Sequence, residues 1–179
     1  MNKIYRGQFM AKLKKQSMID KLTGINNIQG FFEESKGLIN LAQRHKLSLA
    51  LMYFDINNLK TINNTYDNET GDLLIKLFSD ALSQSIREED IIARLDGDEF
   101  CFLGINSDDY DFIVLESRVQ SIFSKLTQDN NKISNPTFSS SNKLFEHTGK
   151  FNIESMLSEV KDLISEDKKT RKEYLQSIG

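Results

Sequence analysis

The chain has 179 residues, 39% of them hydrophobic and 12 of them Phe, enough for one domain with a real core and no staples. A single cysteine, Cys101, excludes a disulfide framework and a cysteine-based zinc site. A formal net charge of −3 gives no bulk attraction to nucleic acid or to an anionic membrane. No apolar run reaches the ~20 residues of a spanning helix and no signal-peptide core is seen, so a cytoplasmic location is expected.

Residues Ile4 to about Met18 have helical spacing. They read either as a helix packed on its own domain or as the remnant of a stalk leading to a sensor domain or a partner chain. Asp20 to Asn27 is a polar, turn-rich break. A helix follows from Ile28 to about Arg44. Ser48-Leu49-Ala50-Leu51-Met52-Tyr53-Phe54-Asp55-Ile56 is a near-continuous apolar run, the pattern of a central strand covered on both faces. Leu74, Leu77, Phe78, Ala81 and Leu82 stripe a second helix from about Gly71 to Ile86. Ile91–Leu95 and Asp98–Leu103 read as a hairpin around Asp96-Gly97, because Asp-Gly between apolar runs suits a turn with positive φ. Cys101 falls in this apolar pattern and reads as a buried structural thiol.

A third helix is predicted from about Asp109 to Leu126, then a polar loop over Gln128 to Asn135. The only proline, Pro136, opens a weak strand at Thr137-Phe138-Ser139-Ser140. A last helix runs from about Ile153 to Asp167, and its basic tail is expected to fray. The order α-β-α-β-β-α-β-α predicts a single-domain α+β sandwich, a mostly antiparallel sheet flanked by helices.

Two features carry chemistry. Asp55 ends a strand of Leu, Met, Tyr and Phe, where a carboxylate is costly unless something neutralises it. Asp98 and Glu99 stand together beside the hairpin turn. A hard cation between Asp55 and Asp98/Glu99 would account for all three; a helix cap on Asn57-Asn58-Leu59 would account for Asp55 alone.

Three blocks then fall in order. Asp20-Lys21-Leu22-Thr23-Gly24-Ile25-Asn26-Asn27 comes first. Next is Asp55-Ile56-Asn57-Asn58-Leu59-Lys60-Thr61-Ile62-Asn63-Asn64, continuing to Gly71-Asp72. The third is Arg94-Leu95-Asp96-Gly97-Asp98-Glu99-Phe100. Together they resemble the GGDEF family, the diguanylate cyclases that make cyclic di-GMP from GTP. The resemblance is strong from Asp20 to about Leu103. It implies a nucleotidyl-cyclase-like fold, an N-terminal helix or stalk over residues 1–19 and a GGDEF-type domain over residues 20–179.

The resemblance also implies roles. Asp55, Asp98 and Glu99 match the metal carboxylates for Mg²⁺, with Mn²⁺ as the alternative, and Asp98 and Glu99 the catalytic pair. Lys60 matches a phosphate-contacting lysine, Asn63 and Asp72 the guanine readers, and Gly97 a substrate-binding glycine of the signature. Asp suits guanine because adenine offers no N1–H. Arg87-Glu88-Glu89-Asp90 resembles the family's product-inhibition site for cyclic di-GMP; it also reads as a salt-bridged helix end. The implied reaction joins two GTP, each held by one chain of a homodimer.

The chain departs from the family pattern at Asp96, which replaces the first glycine of the signature, and at Asn57 and Asp67-Asn68. In its C-terminal third, Asp167 stands where the family has a phosphate-binding lysine. A carboxylate ~4 Å from a phosphate costs about 1 to 4 kcal/mol, so Asp96 bears on rate if it faces the triphosphate. A non-catalytic domain that senses GTP or cyclic di-GMP through protein contacts is the alternative function.

Overall fold

The computed structural model describes residues 17–106, 111–147 and 150–177, with backbone alone beyond residue 166. The helix expected at residues 4–18 lies outside the described residues, except for Ser17 and Met18, which form a turn.

In chain order the elements are β1 (Asn26–Asn27), α1 (Ile28–His45), β2 (Ser48–Ile56), α2 (Leu59–Thr65), α3 (Asn68–Ser85), β3 (Ile91–Asp96), β4 (Glu99–Asn106), α4 (Phe112–Thr127), β5 (Phe138–Phe145) and α5 (Ile153–Ser177). The strands form one sheet in the order β1-β3-β4-β2-β5. β1 runs parallel to β3, and every other pairing is antiparallel. The expected α+β sandwich is therefore observed.

β2 is central because it is apolar on both faces. Ala50, Met52, Phe54 and Ile56 join one core with Leu74, Phe78 and Leu82 of α3 and Leu115, Val119 and Phe123 of α4. Leu49, Leu51 and Tyr53 join a second core with Phe31 and Ala42 of α1 and Met156, Leu157, Val160 and Ile164 of α5. Strand alternation thus sorts one segment between two helical layers. Cys101 is fully buried in the second core, and burial holds its thiol well above the ordinary range, as a structural thiol requires.

Five elements differ from the sequence expectation. β1, two residues paired with β3, falls in what reads as a turn-rich break. α2 was not foreseen; only Leu59 and Ile62 of its seven residues reach the core, too few for a periodic stripe. α3 begins at Asn68 rather than at Gly71. Asp67 caps it, accepting from the Thr70 backbone N–H (2.7 Å) and hydroxyl (2.6 Å). Those bonds, with Lys132 at 3.1 Å, hold the Asp67 carboxyl down at about 2. The fifth strand extends from Phe138 to Phe145, pairing with β2 over eight residues. Its Ser-Ser-Ser-Asn-Lys run suits an edge strand, which hides the apolar signal. The basic tail continues α5 as helical backbone to Ser177 instead of fraying.

Candidate active site

The three carboxylate-bearing residues come together at one end of the sheet. Asp55 lies directly opposite Glu99 in the β2–β4 ladder. The Ile56 N–H donates to the Asp98 carbonyl (3.1 Å), tying the hairpin turn to the end of β2. On the other side of β2, Asp55 pairs with Ser139, whose hydroxyl donates to the Asn57 side-chain oxygen (2.9 Å). The N-cap residue of α2 is Asn58, in the left-handed region at φ 62 and with no side-chain cap bond of its own.

The hairpin loop is Gly97-Asp98, one residue later than Asp96-Gly97. A register shift between Arg94 and Asp96 lets Asp96 pair with Glu99 and pushes the turn along. Gly97 carries the positive φ, 40°, at the first loop position, where glycine avoids strain. Its carbonyl accepts from Arg94 Nε at 2.8 Å, and the Arg94 guanidinium also pairs with Asp20 at 3.1 Å. The two side chains are only 14% and 22% exposed. Burial opposes the charge on Asp20, but hydrogen bonds from Thr23 and Arg94 outweigh it and keep the carboxyl below its usual range. The first and third sequence blocks therefore brace the same turn.

Two residues of the site were missed in the sequence. Tyr53, 1% exposed, is two residues before Asp55 on the same face of β2, with its hydroxyl against Glu99. Burial, then Glu99, Asp55 and Asp98, push its phenol far above the usual value, so it stays a neutral donor. Lys161 of α5 reaches both Glu99 oxygens, at 2.9 and 2.7 Å, and lies 5.5 Å from the centre of the Tyr53 ring. The i−2 position of Tyr53 was the available signal for the first. Nothing in the helical pattern distinguished Lys161 from a solvated lysine.

The other expected residues lie on α2 and α3. Lys60 is exposed on α2, and Asp72 is exposed on α3, one turn in from the cap, beyond the reach of the helix dipole at the first turn. Asn63 presses on Gly71: a Cβ there would stand 1.8 Å from Asn63 Oδ1. That oxygen is buried without a hydrogen-bond partner, an arrangement that costs about 1–3 kcal/mol unless a donor arrives. With Asn63 as a guanine reader, the role the resemblance implies, Gly71→Ala is expected to leave the fold intact, turn Asn63 aside and weaken GTP binding by about tenfold, the loss of one such bond. Calorimetric titration with GTP checks this; unchanged affinity would remove Asn63 from the site.

Arg87 and Asp90 do not join this group. They line a separate cavity of about 550 Å³ with Ile19, Ile25, Ser83 and Ile92. Asp90 accepts from the Arg87 backbone N–H at 2.9 Å, closing the turn that follows α3.

Residues 17–174 match the family model described as "Diguanylate cyclase, GGDEF domain". The chain belongs to the GGDEF family. Cyclic di-GMP phosphodiesterase NbdA of Pseudomonas aeruginosa is 31% identical over 109 residues, 61% of this chain and 14% of that protein. Diguanylate cyclase DgcP of Escherichia coli is 32% identical over 110 residues, 62% of this chain and 32% of that protein. The chain thus spans a third or less of the length of these relatives. Among solved structures, the coiled coil and GGDEF domain of DgcB from Caulobacter crescentus, in complex with c-di-GMP, superposes with a TM-score of 0.74. Its identity is 16%, and the match covers 93% of this chain and 88% of that one. Diguanylate cyclase SiaD of Pseudomonas aeruginosa, in complex with its activator SiaC, gives 0.76 at 23% identity, over 93% of this chain and 64% of that one. These likenesses establish the nucleotidyl-cyclase-like fold.

In this GGDEF domain, no group of three or more His, Cys, Asp or Glu side chains among the described residues is already set to hold a metal ion. The donor chemistry nevertheless fits Mg²⁺, which typically takes one or two carboxylates plus substrate phosphates rather than a complete protein cage. Asp55, Asp98 and Glu99 offer hard oxygens, those of Glu99 being the ones that Lys161 contacts. No described helix is long and apolar enough to cross a membrane.

Proposed function

We propose that this GGDEF domain binds GTP with Mg²⁺, or Mn²⁺ in its place, and condenses two GTP into cyclic di-GMP with release of pyrophosphate, in bacterial second-messenger signalling. The observation that carries the reading is the pairing of Asp55 with Glu99 while the Asp98 carbonyl is bonded to Ile56. It gathers three carboxylate-bearing residues at one sheet end, beside the helix that bears Lys60 and Asn63. The cation would offset charge developing on the α-phosphate. Lys60 would contact phosphate as a point charge, Asn63 and Asp72 would read guanine, and Gly97 would let the turn approach the substrate. Glu99 would take the proton from the attacking 3′-hydroxyl. One chain would hold one GTP, so two chains must meet, with the segment before Asp20 the route to a sensor domain or partner. Arg87 and Asp90 would bind cyclic di-GMP as an inhibitor in their own cavity.

The test is incubation of purified protein with GTP and Mg²⁺, following cyclic di-GMP and pyrophosphate by chromatography. Absence of product at concentrations that support dimerisation would favour the second reading, a non-catalytic sensor of GTP or cyclic di-GMP. Asp96 is the observation on that side: it is exposed and sits opposite Glu99, where like charges repel. Asp96→Gly is expected to raise turnover at least several-fold, measured as initial rate at saturating GTP. An unchanged or lower rate would show that Asp96 does not burden the site.

A further inference from the structure

Lys161 is the cation already seated on the acidic end of the sheet. Its ammonium touches both oxygens of Glu99 and lies 5.5 Å from the centre of the Tyr53 ring, whose hydroxyl meets the same carboxylate. The backbone beneath it is fixed. Glu159 pairs with Lys143 of β5, and the Ser141 hydroxyl donates to the Val160 carbonyl at 2.6 Å. The side chain has room to leave: it is 47% exposed, on a four-carbon stem with rotatable bonds, against a carboxylate that is 25% exposed.

We propose that Lys161 is a counterion with two positions: it neutralises Glu99 when the site holds no nucleotide, and it ligands the triphosphate when a divalent cation occupies the carboxylates. The inference rests on the GTP reading above and goes beyond it, since that reading gives Lys161 no role. The physical reason is charge. An ammonium on both Glu99 oxygens and a divalent cation on the same carboxylate repel strongly at close range, so the two cannot share it. Once released, the ammonium stays tethered by α5 beside the carboxylates, where the triphosphate must lie to reach a cation held there. A phosphate oxygen is the strongest acceptor then within reach, and Lys binds it as a point charge.

The two positions predict effects of opposite sign, which a merely structural salt bridge would not produce. In the full chain, Lys161→Met keeps an unbranched side chain of similar length and removes the charge. Binding of Mn²⁺ alone, read by electron paramagnetic resonance, is expected to tighten by about three- to fivefold, because a partly exposed competing ion pair is gone. Binding of 3′-deoxy-GTP with Mg²⁺, read by calorimetry, is expected to weaken by about tenfold, the loss of a charge-assisted contact. The analogue lacks the attacking hydroxyl, so turnover does not enter. Lys161→Arg should stay near wild type in both. Lys161→Gln repeats the test should the Met variant fail to fold.

Unchanged or weaker Mn²⁺ binding in Lys161→Met, or unchanged nucleotide binding, overturns the proposal while leaving the GTP reading in place. A wild-type protein that binds neither probe overturns the GTP reading, and this inference with it.

Discussion

Glu99→Gln is expected to lower cyclic di-GMP formation by about 10²- to 10³-fold while changing stability by less than about 1 kcal/mol. Gln keeps the shape and can still accept from the Tyr53 hydroxyl and Lys161, but it can neither take a proton nor match a carboxylate as a cation ligand. Losing a positioned base costs about 10²–10⁴ in rate, and losing a group that stabilises developing charge about 10²–10³. The stability side is small because the Lys161–Glu99 pair is substantially exposed, a setting in which ion pairs contribute about 0–1 kcal/mol. Asp98→Asn should behave similarly, since the bond from Ile56 reaches the Asp98 backbone carbonyl and survives the substitution. Initial rates with GTP, alongside urea unfolding of each variant, check both halves. Retention of more than about a tenth of wild-type rate in either variant would be incompatible with a carboxylate-driven condensation.

The sheet was legible where burial is two-sided. The run from Leu49 to Phe54 reads as a covered strand, and it lies inside the sheet, between β4 and β5. Asp55 stood out as a charge at the end of such a run, and Asp98-Glu99 stood out beside a Gly turn; the ladder register brings the two together. What was not legible depended on contacts distant in sequence. The hairpin loop lies one residue later because of the register shift between Arg94 and Asp96, and Arg94, held by Asp20 from 74 residues away, bonds to the Gly97 carbonyl of that loop. Lys161 and Glu99 are 62 residues apart, and helical periodicity records which face of α5 is buried, not which carboxylate its exposed face meets. β5 was legible only at its start, Phe138 to Ser140; its extension to Phe145 was hidden because an edge strand can carry Ser, Asn and Lys along its ladder.

Phe78→Ala is the substitution expected to harm the fold most. The Phe78 ring, fully buried on α3, meets Phe100 at 5.0 Å, Phe123 at 5.1 Å, Phe138 at 5.2 Å and Phe54 at 6.0 Å between ring centres. Three strands and a second helix therefore close on one side chain. Truncating a buried Phe costs about 3–5 kcal/mol, since the surrounding rings relax only partly into the void. For a domain of this size that lowers Tm by about 6–20 °C. The loss should fall on folding rather than on ligand binding. Phe54, Phe100 and Phe138 each adjoin a residue of the sheet end in sequence, respectively Asp55, Glu99 and Ser139. Strand alternation, however, sends Phe54 and Phe100 into the α3–α4 core while Asp55 and Glu99 face the α5 side with Tyr53. GTP affinity per folded molecule should therefore stay within about 0.5 kcal/mol of wild type, as for sites without shared partners. Thermal unfolding with and without GTP separates the two effects. A Tm drop with the ligand-induced shift preserved is the expected result. A lost shift at a temperature where the variant is still folded would mean that the aromatic core positions the carboxylates directly.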